Sequence, residues 1–284
     1  MVSTSGSSGT LDYSKRPNTR GLALEFRAFK VRLMARSGDT FAARAFRFYK
    51  GLTSPRTPRG VIVMNPYMDA RVRSYVRLFL EKYFDDNRPR TLVLGINPGR
   101  FGAGITGVTF TDPKALADPC GVRNSLPRKH ELSSVFIYKV IDRFGGPRKF
   151  YRNFFLTAVS PLGFIRKGIN LNYYDDRLLA RSLKPFIVET IERQIAMGGK
   201  TDRVFVLGIS ENFRFLRELN AEHGFFRELV ALEHPRWIMQ YQQPRIDEYV
   251  EKYYEVLSSD RTPPDVPTQL LPHETDLLSD RPAE

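Results

Sequence analysis

Two short segments of the chain combine residue types that are typical of a binding or catalytic site. Residues 95–110, GINPGRFGAGITGVTF, contain five glycines and a proline and follow an apolar run. Because glycine lets the backbone approach another group closely, this composition favours a loop that closes around a ligand. A tight strand-to-helix turn without a ligand is the plainer alternative. The second segment, Glu233-His234-Pro235, places a histidine directly after another apolar run.

Three common nucleotide-binding and catalytic loops do not fit these residues. A dinucleotide-binding loop begins with G-x-G, but the second glycine position after Gly95 is occupied by Asn97. The glycines within 102–107 lie well past the end of the predicted strand. Residues 199–201 resemble the end of a phosphate loop but precede a strand. A nucleophile elbow over 208–212 fails at Asn212, where a glycine is required.

The elements around these loops predict an α/β fold. Four apolar runs rich in β-branched and aromatic residues read as buried strands, and helical segments separate them. The strands are Thr91–Ile96, Phe154–Val159, Arg203–Leu207 and Leu229–Leu232; the helices lie near 71–84, 132–143, 174–197 and 210–220. This order predicts a three-layer α/β/α sandwich with a mainly parallel four-stranded central sheet. Ligands bind at the carboxyl ends of such strands, where both loops begin.

Composition divides the chain into three parts. Residues 1–20 are rich in Ser, Gly and Thr and predict a flexible leader, and 21–258 form one domain that opens with an amphipathic helix through Leu22, Phe26, Phe29 and Leu33. Residues 259–284 hold five prolines, six acidic and two basic residues, and predict a flexible acidic tail.

Charge and cysteine content limit the classes of function. The chain carries 44 Lys and Arg against 31 Asp and Glu, a net charge of +13, and the acidic tail makes the remainder still more basic. A basic body fits a polyanionic partner, although a solvated basic surface would look the same. The single cysteine, Cys120, excludes a disulfide within the chain and multi-cysteine metal sites, and a reducing cytoplasm is expected, with nucleoid association if the source is bacterial. No apolar run is long enough to span a bilayer.

The loops resemble motifs of the uracil-DNA glycosylase superfamily. Gly95-Ile96-Asn97-Pro98-Gly99 followed by Thr106-Gly107-Val108-Thr109-Phe110 is similar to the first motif of the single-strand-selective monofunctional branch. The segment 233–237, EHPRW, resembles the second motif, and 155–162, FLTAVSPL, resembles the third strand. The three motifs occur in the family's order across roughly residues 90–250, and each ends a predicted strand.

The resemblance implies roles for individual residues. Asn97 would orient the attacking water, and His234 would donate a hydrogen bond to the base oxygen on which charge develops. Phe110 would stack on a base flipped out of DNA. The remaining residues expected to line the base pocket are Gly95, Ile96, Pro98, Gly99, Phe101, Ala103, Ala158 and Ser160. Such an enzyme works on DNA as a monomer, without a lysine nucleophile, a metal or another cofactor.

The residues that follow His234 are expected to enter the DNA duplex. In the family, the residues after His234 fill the gap left by the flipped nucleotide, and here they are Arg236, Trp237 and Ile238. The alternative is that Trp237, the single tryptophan, is buried in the core.

One position departs from the family pattern. The best-known members read the base with an asparagine on the third strand, where this chain has Ala158, which offers neither donor nor acceptor. Ser160, two residues on and on the same side of the strand, is a candidate substitute. We therefore place the chain in a divergent second subgroup, with hypoxanthine and xanthine as expected substrates beside uracil. A non-catalytic nucleic-acid or nucleotide binder with the same fold is the alternative, and a small-molecule hydrolase is least favoured.

Overall fold

The structure, a computed structural model, describes residues 38–128 and 130–259. The predicted leader, the amphipathic helix through Leu22 and Leu33, and the acidic tail after its first residue, Ser259, lie outside these residues. Within the described ranges, no helix combines the length and apolar composition needed to cross a membrane.

The described residues form seven strands and ten α-helices. The strands are β1 (Ile62–Met64), β2 (Arg90–Gly95), β3 (Phe154–Ala158), β4 (Gly163–Arg166), β5 (Ile169–Leu171), β6 (Gly199–Leu207) and β7 (Glu228–Leu232). The helices are α1 (Phe41–Lys50), α2 (Ala70–Phe84), α3 (Ala103–Thr106), α4 (Pro113–Ala117), α5 (Leu132–Arg143), α6 (Pro147–Tyr151), α7 (Arg177–Ala196), α8 (Glu211–His223), α9 (Pro235–Tyr241) and α10 (Ile246–Ser258). Short 3₁₀ turns cover Pro66–Met68 and Gln243–Arg245.

The central sheet has the predicted parallel architecture. Its order is β3-β2-β6-β7, and every neighbouring pair is parallel. All residues of β2 and β3 are buried, which explains why both strands read as continuous apolar runs rather than alternating ones. β6 begins four residues before the predicted strand, because residues 199–202 (GKTD) contain no large apolar residue and are half-buried or exposed, so they lack the apolar signal. The fold class predicted from the sequence is confirmed.

Helix boundaries follow from side chains that cap the first turn. Asp69 accepts a hydrogen bond from the Arg71 amide and begins α2, and Asp176 accepts from the amides of Leu178 and Leu179 and begins α7. The predicted helix 132–143 coincides with α5. The predicted helix 174–197 begins three residues early, since the cap at Asp176 sets the start of α7.

A second, three-stranded sheet was not predicted. β1, β4 and β5 pair antiparallel in the order β1-β4-β5. Its strands have three or four residues, which is too few for a clear alternating pattern. The sheet matters for the site, because the chain leaving β5 contacts the loop after β2.

One arginine is part of the core. The side chain of Arg90, at the start of β2, has no solvent exposure and lies 5.2 Å from the ring centres of Phe41 and Phe84. Its guanidinium donates to the Tyr151 carbonyl at 3.2 Å and pairs with Asp86. The buried charge is therefore compensated, as burial requires.

Candidate active site

A pocket lies at the carboxyl ends of β2 and β3, where the sequence places it. Residues from several distant segments of the chain meet there because parallel strands end at one edge of the sheet. The lining residues are Gly95, Ile96, Asn97, Pro98, Gly99, Ala103, Thr109, Phe110, Glu131, Ser133, Ala158 and His234.

The amide of Asn97 is held on both sides by backbone groups. Its Nδ2 donates to the Leu171 carbonyl at 3.1 Å, and its Oδ1 accepts from the Tyr173 amide at 3.0 Å. The Tyr173 hydroxyl donates to Oδ1 of buried Asn212 at 2.8 Å, and Asn212 donates in turn to the Leu207 carbonyl at 3.0 Å. A hydrogen-bond chain from the end of β6 thus fixes the segment that orients Asn97, as precise positioning of a reacting group requires.

Phe110 forms one wall of the pocket in an unusual backbone conformation. Its φ is 55°, in the left-handed region that non-glycine residues seldom adopt. A Cβ atom built on Gly95 would lie 2.6 Å from Cζ of the Phe110 ring, so only glycine fits there. Gly95 also pairs in register with Ala158 of β3, which is 2% exposed. Gly95, Ala158 and the Phe110 ring therefore lie together at the base of the pocket.

His234 lies across from Phe110 in its neutral form. The ring centres are 6.0 Å apart. His234 caps α9, and its Nδ1 accepts a hydrogen bond from the Arg236 amide at 3.2 Å. Burial, with the Arg236 charge adding to it, lowers the pKa of His234 to about 4. A neutral imidazole that accepts at Nδ1 carries its proton on Nε2, which can then donate to a developing negative charge.

The loop that carries His234 is anchored to α10. The Tyr253 hydroxyl donates to the Glu233 carbonyl, and Lys252 Nζ lies 2.6 Å from Oε1 of Glu233. Pro235 occupies the first turn of α9, where a missing amide proton has no cost. These contacts hold the histidine at the end of β7.

Glu131 is a pocket residue that the sequence interpretation missed. It directly precedes α5, and its carboxyl lies against Gly99 and Gly102 of the glycine-rich loop. Burial raises the pKa of Glu131 to about 7; nearby Asp112 adds to the shift, and Arg236 opposes it. Thr109 and Ser133 also line the pocket. The sequence signal that could have identified Glu131 is a single glutamate directly before a predicted helix, Leu132–Arg143.

Two residues predicted for the base pocket lie elsewhere. Ser160 is fully buried, and its hydroxyl donates to the Leu162 carbonyl at 2.9 Å, which leaves it outside the described lining. β3 ends at Ala158, so the strand alternation assumed for Ser160 does not extend to it. Phe101 is also outside this lining; it is 39% exposed and lies under the Arg100 guanidinium. Both assignments are corrected.

The three residues predicted to enter the duplex differ in exposure because they lie on different sides of α9. Arg236 is exposed, and Trp237 is 41% exposed, with its ring near Tyr241 and Tyr249. Ile238 has no exposure and packs in the core, because the helical turn directs it inward. The assignment of Ile238 to the wedge is therefore wrong, and the alternative of a buried Trp237 is also wrong.

Among the described residues there is no cluster of three or more potential metal-ligating side chains.

Comparison with known proteins assigns the chain to a family. The sequence model of the uracil DNA glycosylase superfamily matches residues 81–258. The chain belongs to the uracil DNA glycosylase superfamily. The match begins in α2 and ends with α10, so it includes every residue of the pocket.

A solved relative places the chain within the superfamily. The crystal structure of wild-type SMUG2 from Pedobacter heparinus is 42% identical, with a TM-score of 0.75 over 78% of this chain and 97% of that chain. This glycosylase thus belongs to the single-strand-selective branch, and its general function is of the uracil-DNA glycosylase type. No curated protein matches the sequence.

Proposed function

We propose that this protein is a monofunctional DNA glycosylase that removes uracil, hypoxanthine and xanthine from DNA during base excision repair. The observation that carries the proposal is that Asn97 and His234, from distant segments of the chain, line one pocket whose wall is the ring of Phe110. An amide held by backbone, a neutral imidazole donor and an aromatic face can each contribute to the hydrolysis of a flipped nucleotide.

The chemistry divides between these three residues. The flipped base stacks on Phe110, and His234 donates from Nε2 to the base oxygen on which negative charge grows. The bond between C1′ and the base nitrogen breaks, and its electron pair leaves with the base. Water held by Asn97 adds to C1′, and the proton that this water loses neutralises the base anion or passes to solvent. Because no lysine occurs among the described lining residues, the pocket offers no amine for a covalent lyase intermediate.

The small residue at the pocket base supports the proposal that the enzyme accepts more than one base. Ala158 contributes a methyl group where an amide would contact the Watson–Crick edge, so it imposes no donor–acceptor pattern on a pyrimidine. Hypoxanthine and xanthine share with uracil a carbonyl next to a ring N–H.

DNA is bound through charge and the exposed first turn of α9. The net charge of +13 attracts phosphates without regard to sequence, and binding should weaken as salt rises. Arg236 and Trp237 lie beside His234 and are exposed, which suits contact with a phosphate and stacking in the gap left by the flipped nucleotide.

The test is base release from a panel of labelled oligonucleotides. Each contains one uracil, hypoxanthine or xanthine, in a single strand, a pair or a mismatch, and abasic sites are read as breaks after alkali. We expect breaks only after alkali, and large losses of rate in Asn97→Ala and His234→Ala. Asn87→Ala, which removes an exposed amide distant from the pocket, is the matched control and should retain full activity.

Two outcomes would contradict the proposal. Salt-sensitive DNA binding with no release of any base would identify a non-catalytic binder. Release that is unchanged in both Asn97→Ala and His234→Ala would show that the chemistry takes place elsewhere.

A further inference from the structure

Cleavage of the glycosidic bond produces a negative charge on the base and a positive charge on the sugar. Asn97, Phe110 and His234 together stabilise only the negative charge. His234 stabilises the negative charge on the departing base. The sugar becomes cationic at the same time, and Asn97, an uncharged amide, neither neutralises that cation nor removes a proton from water. Among the described residues that line the pocket, Glu131 carries the one carboxyl group.

A backbone hydrogen bond to Asp112 fixes the position of Glu131. Its backbone amide donates to Oδ2 of Asp112 at 3.1 Å, while Oδ1 of the same carboxylate accepts from the Ala115 amide at 2.8 Å and caps α4. Asp112 therefore ties the start of α5 to the start of α4. The Glu131 side chain does not cap α5 and is free to turn into the pocket.

The glycine-rich loop leaves room for this carboxyl. A Cβ atom built on Gly102 would lie 1.7 Å from Oε2 of Glu131, and one built on Gly99 would lie 3.1 Å from Oε1. Both glycines follow Asn97 in the same loop, so the carboxyl lies against the segment that presents the water-orienting amide. Gly99 and Gly102 thus leave the space that the Glu131 carboxyl occupies.

We propose that Glu131 is a second catalytic residue, whose carboxylate stabilises the oxocarbenium-like sugar and accepts a proton from the attacking water. This inference rests on the proposed function. As the bond from C1′ to the base nitrogen breaks, its electron pair leaves with the base, and the water oxygen forms the new bond to C1′. The proton that this water loses passes to Glu131 and then to the base anion or to solvent. One carboxylate and one neutral donor then share the two developing charges.

The surroundings of Glu131 determine when it is ionised. Asp112 at the start of α4 repels its negative charge, and Arg236 on α9 attracts it. His130, the preceding residue, lies 4.0 Å from Asp112, and His234 on α9 is neutral near pH 7. Since burial and Asp112 raise the pKa of Glu131 to about 7, the active carboxylate form is lost as pH falls below neutrality. The rate should then drop about tenfold per pH unit below pH 7, following the ionised fraction.

The test is the single-turnover rate of uracil release from pH 5 to pH 9 for the wild type and Glu131→Gln. We expect Glu131→Gln to be at least about 100-fold slower at pH 8 and to lose the acid limb of the profile. Glu131→Asp should retain the limb at a reduced rate, since it keeps the charge but shortens its reach. Glu255→Gln removes an exposed carboxylate from α10 and controls for the overall charge, so it should match the wild type.

Folding is checked independently by circular dichroism and by binding to an oligonucleotide that contains a stable abasic analogue. Gly102→Ala provides a second route, because its methyl group would displace the Glu131 carboxyl and should reproduce the loss of the acid limb. A wild-type protein that releases uracil, with Glu131→Gln within threefold of its rate or with the limb retained, would overturn this inference alone. A wild-type protein that releases no base would overturn both proposals.

Discussion

The difference in stability between Glu131→Gln and the wild type should change with pH, because the Glu131 carboxyl of the wild type favours the folded state only where it is protonated. The folded protein raises the pKa of Glu131 from 4.5 to about 7. Between these values the folded state binds more protons than the unfolded chain, so the contribution of this group is fully present below pH 4.5 and is lost as pH rises through 7. At pH 8 the wild type therefore holds a desolvated carboxylate at a cost that the amide of the variant does not have.

The magnitude follows from the two pKa values. Between pH 5 and pH 8, linkage gives a loss of about 2 to 3 kcal/mol from this one group. Replacing glutamate with the isosteric glutamine removes that loss. The difference in unfolding free energy, variant minus wild type, should therefore be about 2 to 3 kcal/mol larger at pH 8 than at pH 5.

The assay is urea unfolding of both proteins at pH 5 and pH 8, followed by tryptophan fluorescence or circular dichroism. Comparing the two proteins at each pH cancels the other titrating groups, and comparing the two pH values cancels the packing difference between the side chains. Glu255→Gln should show no such change. A pH-dependent difference below about 0.5 kcal/mol for Glu131→Gln would refute the description of Glu131 as a desolvated pocket carboxyl.

Three further changes are expected to have distinct effects. His234→Ala removes the single Nε2 donor and should slow uracil release by about 100- to 1,000-fold in single-turnover assays; because the pKa of His234 is about 4, its ring contributes no inflection between pH 5 and pH 8. Gly95→Ala places a methyl group 2.6 Å from the Phe110 ring and should slow uracil release at least about tenfold, with wild-type circular dichroism as the check on folding. Arg90→Met removes a buried guanidinium from Phe41, Phe84 and Asp86 and should lower the unfolding free energy by about 3 kcal/mol in urea titrations, with unchanged release rate at low temperature. An unfolding midpoint equal to the wild type would show that Arg90 is not a structural cation.

The elements that the sequence predicted well are those with strong local signals. β2 and β3 are buried on both faces, so they appear as uninterrupted apolar runs, and α5 shows a clear helical period. The helices α1 and α10 were not predicted, and neither were the strands β1, β4 and β5, which are too short for a period to develop. Their pairing is decided by contacts between residues far apart in the chain, such as Ile62 with Ile165.

The candidate site divides in the same way. Asn97, Phe110 and His234 could be named from the sequence because each lies in a distinctive motif at a strand end, and parallel topology brings strand ends to one edge. Ser160 and Ile238 could not be placed correctly, because the end of β3 and the turn of α9 decide which way each side chain points.

By itself, the sequence determined the fold class, the family resemblance and the residues of two motifs, since these depend on local composition and on the order of elements. Tertiary structure alone decided that the Glu131 carboxyl lies against Gly99 and Gly102, that Tyr173 and Asn212 fix Asn97, and that His234 is neutral. The physical reason is that desolvation and hydrogen-bond geometry depend on atoms brought together from distant parts of the chain. A local pattern of residues does not show which distant residues come into contact.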